Sequence, residues 1–259
     1  MLTSPSTRGA GSAREAGLSE ASPTVPAMDV ILIAGFWLDG ASWDGVIPAL
    51  ERAGHRVHAL TLPGLESPGA DRRDITLRDH VDAVVAVVDR CEDEVVLVGH
   101  SGGGAIAYAV ADARPHRIAR VVYVDSAPLP HGRPINDELP AVDGEIPLPD
   151  WSEFEEADLR DLDDELRAAF RAWAIPQPAR VACDLQVLGD ERRYDVSATV
   201  VCCEISSDTV HEWVTGGHPF GAELGRIRDV DLVDLPTGHW PQFTRPADLA
   251  EAILRSIGR

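Results

Sequence analysis

Short apolar runs recur along the chain at residues 30–34, 56–60, 95–98, 121–124, 199–203 and 231–235. Between them, apolar residues fall at helical spacing over 43–53, 77–90, 102–113 and 246–257. Runs rich in Val, Ile and Leu that scarcely alternate with polar residues predict strands buried on both faces. Their alternation with amphipathic helices predicts an α/β fold, a mostly parallel central sheet with helices on both faces. No internal repeat is visible.

One stretch breaks the alternation. From 127 to 196 the chain is rich in proline and carries two acidic clusters. Within it, Trp151, Phe154, Leu159, Leu162, Leu166, Phe170 and Trp173 recur at a spacing that predicts a helical stretch over 151–173. Such a length is unusual for a connection inside an α/β unit. Its apolar positions need a surface to cover. We therefore expect a small helical cap, inserted over the C-terminal edge of the sheet in a single domain spanning 28–259. Residues 1–27 are dominated by Ser, Ala, Gly, Pro and Thr without an apolar core segment, which predicts a disordered tail and not a signal peptide.

Charge narrows the partners. The 259 residues include 23 basic and 43 acidic side chains, a net charge of −20. No basic stripe stands against that field, so neither nucleic acid nor an anionic membrane is an expected partner. Every basic residue is arginine, which excludes lysine-based Schiff-base chemistry. No apolar run is long enough to span a bilayer. Cys91, Cys183, Cys202 and Cys203 lack C-x-x-C spacing and read as buried free thiols, with Cys202 and Cys203 on opposite faces of a strand. A cytoplasmic protein is expected, and a homodimer is left open.

The candidate chemistry begins at Gly99-His100-Ser101-Gly102-Gly103, between an apolar run and a helical one. A Gly-x-Ser-x-Gly in that setting is a nucleophile elbow, a tight turn that lifts a serine hydroxyl above the sheet edge. A phosphate loop would end in Gly-Lys-Ser/Thr, and a dinucleotide site would need Gly-x-Gly-x-x-Gly; neither is present. Serine needs a positioned base. Among nine histidines, His239 follows the last apolar run and precedes the closing helix, the place of the base in the chain order Ser, acid, His. His100 reads as packing, while His211 and His218 read as helix-flanking or surface residues. His55, His58, His80, His116 and His131 form no constellation, and no metal-ligand spacing exists, so no metal or cofactor is expected. Two aspartates compete to orient the imidazole. Asp125 ends the run 121–124, and Asp208 follows the run 199–203 where it could instead cap a helix over 209–214. Glu204 is a third candidate. After the first run, a backbone N–H of Phe36 or Trp37 is placed to meet the Gly102 amide as an oxyanion hole. Trp37 and Trp43 are large enough to wall an acyl site.

From Met28 onward the chain resembles the α/β-hydrolase superfamily. The resemblance rests on Ala34-Gly35-Phe36, Leu62-Pro63-Gly64, the Gly-His-Ser-Gly-Gly elbow and Gly238-His239, in that order. It is greatest toward small bacterial hydrolases of the esterase, lactonase and haloperoxidase-like group. The resemblance implies Ser101 as nucleophile, His239 as base, and the Phe36 and Gly102 amides as oxyanion hole. Most members carry the acid after the penultimate strand, which points to Asp208; a subset carries it after the strand following the elbow helix, which points to Asp125. The turn after Cys203 departs from the usual form, and we take Asp125 as the acid with Asp208 as the alternative. The expected activity is hydrolysis of a small-molecule carboxylic ester or lactone. The alternatives are a lyase or cofactor-independent oxygenase on the same fold, or a degenerate member that binds a small molecule.

Overall fold

Each of the six apolar runs becomes a strand of one sheet: β1 (Asp29–Ile33), β2 (Arg56–Leu60), β3 (Val95–His100), β4 (Ile118–Val124), and, after a two-stranded ribbon of β5 (Glu145–Ile146) and β6 (Gln177–Pro178), β7 (Ser197–Cys202) and β8 (Val230–Asp234). This computed structural model describes residues 26–258. The predicted tail therefore lies outside the described residues except at its last two positions. The sheet order is β2-β1-β3-β4-β7-β8, with every neighbouring pair parallel. β1, β3, β4 and β7 lie inside and are buried along nearly their whole length, whereas the edge strands β2 and β8 are only partly covered. That is why the inner runs are apolar on both faces: in β3, Val95 and Leu97 enter one core and Val96 and Val98 the other.

Helices flank both faces. α2 (Leu77–Val88) and α3 (Gly102–Ala113) pack into the first core, α1 (Ile47–Arg52) and α8 (Pro246–Ile257) into the second. α3 and α8 coincide with the predicted ranges. α2 opens on a capping box, in which Thr76 accepts from the Asp79 N–H and Asp79 accepts from the Thr76 N–H. The range 43–53 divides: a 3-10 turn over Gly40–Trp43 comes first, and α1 begins with proline in its first turn. Because all six strands are parallel, their C-terminal ends share one edge, and Ser101, Asp125, Cys203 and the loop after β8 gather there.

The 127–196 connection between β4 and β7 holds β5, β6, α4 (Asp164–Trp173) and α5 (Ala179–Cys183). The single helical stretch expected over 151–173 does not form. A 3-10 turn at Trp151–Glu153 is separated from α4 by a loop in which Asp161 takes a left-handed φ of 65° and Asp163 caps α4 by accepting from the Leu166 N–H. Aspartate side chains satisfy backbone donors locally and so break a helix that apolar spacing alone predicts. Leu162 and Phe170 pack with Ala34, Leu38 and Trp240, and Ile146 and Ala182 with Phe36 and Trp37. Trp173, expected to be covered, is 55 % exposed and meets the edge of that cluster at Phe243.

All four cysteines are free. Cys202 and Cys203 are buried in opposite cores, as strand alternation requires, but Cys183 at the end of α5 is exposed and Cys91 is half-buried. α6 (Ser207–Gly216) follows β7, and α7 (Pro241–Thr244) follows the loop after β8. No helix among the described residues is long and apolar enough to cross a membrane.

Candidate active site

Ser101 sits between β3 and α3 with φ 51° and ψ −125°, far from both flanking conformations. Two glycines make the turn possible. A Cβ on Gly99 would lie 2.5 Å from the Gly103 carbonyl oxygen, and one on Gly103 would lie 2.6 Å from the carbonyl oxygens of Ile33 and Ala34. Backbone atoms cannot step aside, so both positions require glycine. The elbow is held from β4: the Ser101 N–H donates to the Val124 carbonyl at 3.1 Å, and the Ser126 hydroxyl donates to the Ser101 carbonyl at 2.7 Å.

His239 reaches this serine from the loop after β8, its Nε2 2.9 Å from Ser101 Oγ. Its Nδ1 lies 2.6 Å from Asp125 Oδ2. A carboxylate only accepts, so Nδ1 carries the proton and the Nε2 lone pair is left to accept from the serine hydroxyl. Asp125 is fixed independently of the histidine. Its Oδ1 accepts from the N–H groups of Cys203 and Glu204 at 3.2 and 3.1 Å, across the β4–β7 neighbour relation. Asp208 is not brought to the histidine. It lies exposed in the first turn of α6, and the cap of that helix is Ser206, which accepts from the Thr209 N–H. The capping role considered for Asp208 thus belongs to a residue two positions earlier.

Two further residues converge on His239. His100, expected only to pack, is fully buried and donates from Nε2 to the His239 carbonyl at 2.6 Å, while Gln242 Nε2 donates to its Nδ1 at 3.3 Å. Burial, with the nearby His239, pushes its pKa down to about 3, so it serves as a neutral strut. No sequence signal marks this role, because the partner carbonyl lies far along the chain. The second is Glu204, whose Oε1 is 3.6 Å from His239 Nδ1, buried and without a hydrogen-bond partner. Burial foremost, then the neighbouring Asp158 and Asp125, pushes its carboxyl up to about 9, against the opposite pull of Arg160. On the backbone side, the His239 N–H donates to the Asp158 carbonyl at 2.8 Å.

The turn after β1 abuts the elbow. A Cβ on Gly35 would come within 3.0 Å of Ser101 Cβ, and one on Gly102 within 2.7 Å of the Phe36 ring and 3.4 Å of Ile135. The N–H groups of Phe36 and Gly102 have no acceptor among the described residues, Gly102 being the first residue of α3. Free donors at a helix start beside a serine hydroxyl suit a developing oxyanion. Trp37, with φ 65°, donates from its indole to the Ile146 carbonyl at 3.1 Å, accepts from the Ile175 N–H at 2.9 Å, and sets its ring edge-on to Phe36 and Phe154. It joins the turn to the β4–β7 connection. Trp43 does not wall the site: it is fully buried in the core beneath the sheet with Val30, Leu50 and Leu249.

Two groups of possible metal ligands occur among the described residues, Asp125–Glu204–His239 and Asp29–His58–Cys91. In the first, Asp125 is engaged by three donors and Nδ1 of His239 points its proton at it. In the second, both Asp29 oxygens are taken by Arg56 and one also by His58, which holds the carboxyl at about 2. Neither presents an open set of lone pairs to an ion.

A family model described as an alpha/beta hydrolase family matches residues 30–252. A pyrethroid hydrolase of Sphingobium wenxiniae is 36 % identical over 97 residues, 37 % of this chain and 35 % of that protein. A carbendazim-hydrolysing esterase of a Nocardioides species is 34 % identical over 112 residues, 42 % of this chain and 46 % of that protein. The matched stretches thus span less than half the length of these relatives. Among solved structures, an extracellular alpha/beta-hydrolase from a Paenibacillus species superposes with a TM-score of 0.71 at 22 % identity, over 90 % of this chain and 99 % of that one.

Proposed function

Because the chain belongs to the alpha/beta hydrolase family, we propose that it is a serine hydrolase of carboxylic esters, lactones included, acting through Ser101, His239 and Asp125. One observation carries this reading: a hydroxyl, an imidazole and a carboxylate in an unbroken hydrogen-bonded line of 2.9 and 2.6 Å at the C-terminal sheet edge. His239 Nε2 takes the Ser101 proton as Oγ attacks the ester carbonyl carbon. Asp125 stabilises the imidazolium, and the Phe36 and Gly102 amides donate to the oxyanion. Collapse expels the alcohol, which receives the proton from Nε2. Water, deprotonated by His239, then attacks the acyl-serine, and Oγ leaves with that proton as the acid is released. No step calls for a cofactor.

The surroundings support a neutral substrate with an apolar group. Phe36 and Ile135 stand beside the elbow, Trp37 packs edge-on to Phe36, and the Trp240 ring lies 5.0 Å from the His239 ring. In this reading the connection 127–196 serves as the cap of a single domain over 28–259, placing Phe154 and Ile146 against Trp37. The free thiols support a reducing compartment such as the cytoplasm. The relatives named as a pyrethroid hydrolase and a carbendazim-hydrolysing esterase are in keeping with esters as the substrate class.

The test is a panel of p-nitrophenyl esters and lactones with wild type, Ser101→Ala and His239→Ala, together with fluorophosphonate labelling. Expected are turnover and labelling by wild type and loss of both in Ser101→Ala. Turnover that survives Ser101→Ala removes the nucleophile assignment. A wild type that neither turns over nor takes the label points instead to a lyase, an oxygenase or a binding member.

A further inference from the structure

We propose that Glu204 is a positioning residue that ties the His239–Asp125 pair to Asp158 of the β4–β7 connection through a carboxyl–carboxylate hydrogen bond. The proposal rests on the esterase reading for its effect on turnover, but its geometry stands alone. Glu204 touches three parts of the site at once. Its N–H donates to Asp125 Oδ1 at 3.1 Å, its Oε1 lies 3.6 Å from His239 Nδ1, and its carboxyl faces Asp158, whose own carbonyl accepts from the His239 N–H. Asp158 is itself oriented, since its Oδ2 accepts from the Glu155 N–H at 2.9 Å.

Glu204 is not a second catalytic carboxylate. Asp125 is supplied with two backbone donors besides the imidazole, whereas the buried Oε1 of Glu204 has none. An ionised group there would leave the buried Oε1 without a donor and be set against two other carboxyls. A proton on Glu204 removes that penalty and gives Asp158 a donor. It also leaves His239 facing one negative charge rather than two. The groups facing Glu204 are Asp125 after β4, His239 after β8, Asp158 and Arg160 from the connection, and the neutral Cys203 thiol beside it on the chain. The upward displacement to about 9 agrees with this arrangement. Above that pH the proton leaves, Asp158 and Asp125 repel Glu204, and the connection loosens from the His239 loop.

Two measurements test this. In kcat/KM against pH on a p-nitrophenyl ester, wild type is expected to fall above about pH 9, while Glu204→Gln, whose amide donates to Asp158 without titrating, loses that fall. Glu204→Ala, with no donor, lowers kcat at every pH and is not rescued at neutral pH. The second readout needs no turnover: pH-difference infrared spectroscopy of the wild type should show one protonated carboxyl that titrates near 9 and vanishes in Glu204→Gln, with its midpoint lowered in Asp158→Asn. An unchanged alkaline fall in Glu204→Gln, or no protonated carboxyl above neutral pH, overturns the proposal. Failure of Ser101 labelling overturns the esterase reading alone.

Discussion

Asp125 follows β4 with a left-handed φ of 43°. Aspartate tolerates that region better than most residues, yet it costs about 1–3 kcal/mol unless the surroundings enforce it. Here two backbone donors and an imidazole do so. Replacing its carboxylate by an amide leaves the size unchanged but presents a donor to Nδ1 and favours the wrong tautomer. Asp125→Asn is expected to lower kcat by about 10⁴, whereas Asp208→Asn, on the exposed side of α6, leaves it near wild type; steady-state ester hydrolysis decides. A collapse in Asp208→Asn would transfer the role. Glu204 makes a prediction about stability with a definite sign. Its carboxyl titrates at about 4.5 when unfolded and about 9 when folded. Below the lower value both states hold the proton. Between the two values the unfolded chain releases it and the folded chain does not, so stability is lost as pH rises. Glu204→Gln is free of that loss, and calorimetry should find its Tm advantage over wild type growing from pH 5 to pH 9. A constant advantage across that range would mean that the folded carboxyl does not titrate high.

Among the elements, the elbow is the least tolerant. β3, the turn and α3 approach so closely that the added Cβ atoms on Gly99 and Gly103 would meet backbone at 2.5 and 2.6 Å. Gly103→Ala should therefore cost about 1–3 kcal/mol or more, read as a lower urea midpoint, and should displace Ser101 enough to reduce fluorophosphonate labelling. Wild-type stability in that variant would mean the β1 end gives way more easily than its backbone contacts indicate. α6 shows the opposite case. Its Ser206 cap is exposed, and Ser206→Ala is expected to cost only about 1 kcal/mol and to leave turnover unchanged, because the side-chain hydrogen bonds of that helix run within it and to Asp234 and not to Ser101 or His239.

At the scale of the whole molecule, the chain carries a net charge of −20, while aromatic and aliphatic side chains, Phe36 and Ile135, lie beside the elbow. A negative field repels anionic substrates before they reach the serine. An ester bearing a carboxylate should show a kcat/KM about tenfold below its neutral isostere at low salt, with the gap narrowing as added salt screens the field. Equal values at low salt would show that the approach to the serine is electrically shielded. The β4–β7 connection is bound to the hydrolase core at separate points. Trp37 bonds Ile146 and Ile175, Arg72 pairs with Glu145 at 2.7 Å, and His239 bonds Asp158. Opening the site thus means loosening several buried contacts, not swinging a single hinge.

Much of this was legible in the chain itself. Strands buried on both faces are written mostly in apolar residues, so the four inner strands were readable locally, and the half-covered β2 and β8 through their place in the same alternation with helices. The elbow was readable for the same reason, since its glycines answer to contacts that no other residue fits. His239 was placed by its position after the last run. Tertiary structure alone decided what depends on distance between remote segments. Asp125 and Asp208 both follow strands at the same edge, and only the adjacency of β4 and β7, with the Cys203 and Glu204 amides facing Asp125, sets one carboxylate against the imidazole. The strut from His100, the unpartnered oxygen of Glu204 and the break before α4 belong to the same class. Each is a hydrogen bond or a missing one between groups far apart or locally competing, and apolar periodicity records burial, not the partner of a polar atom.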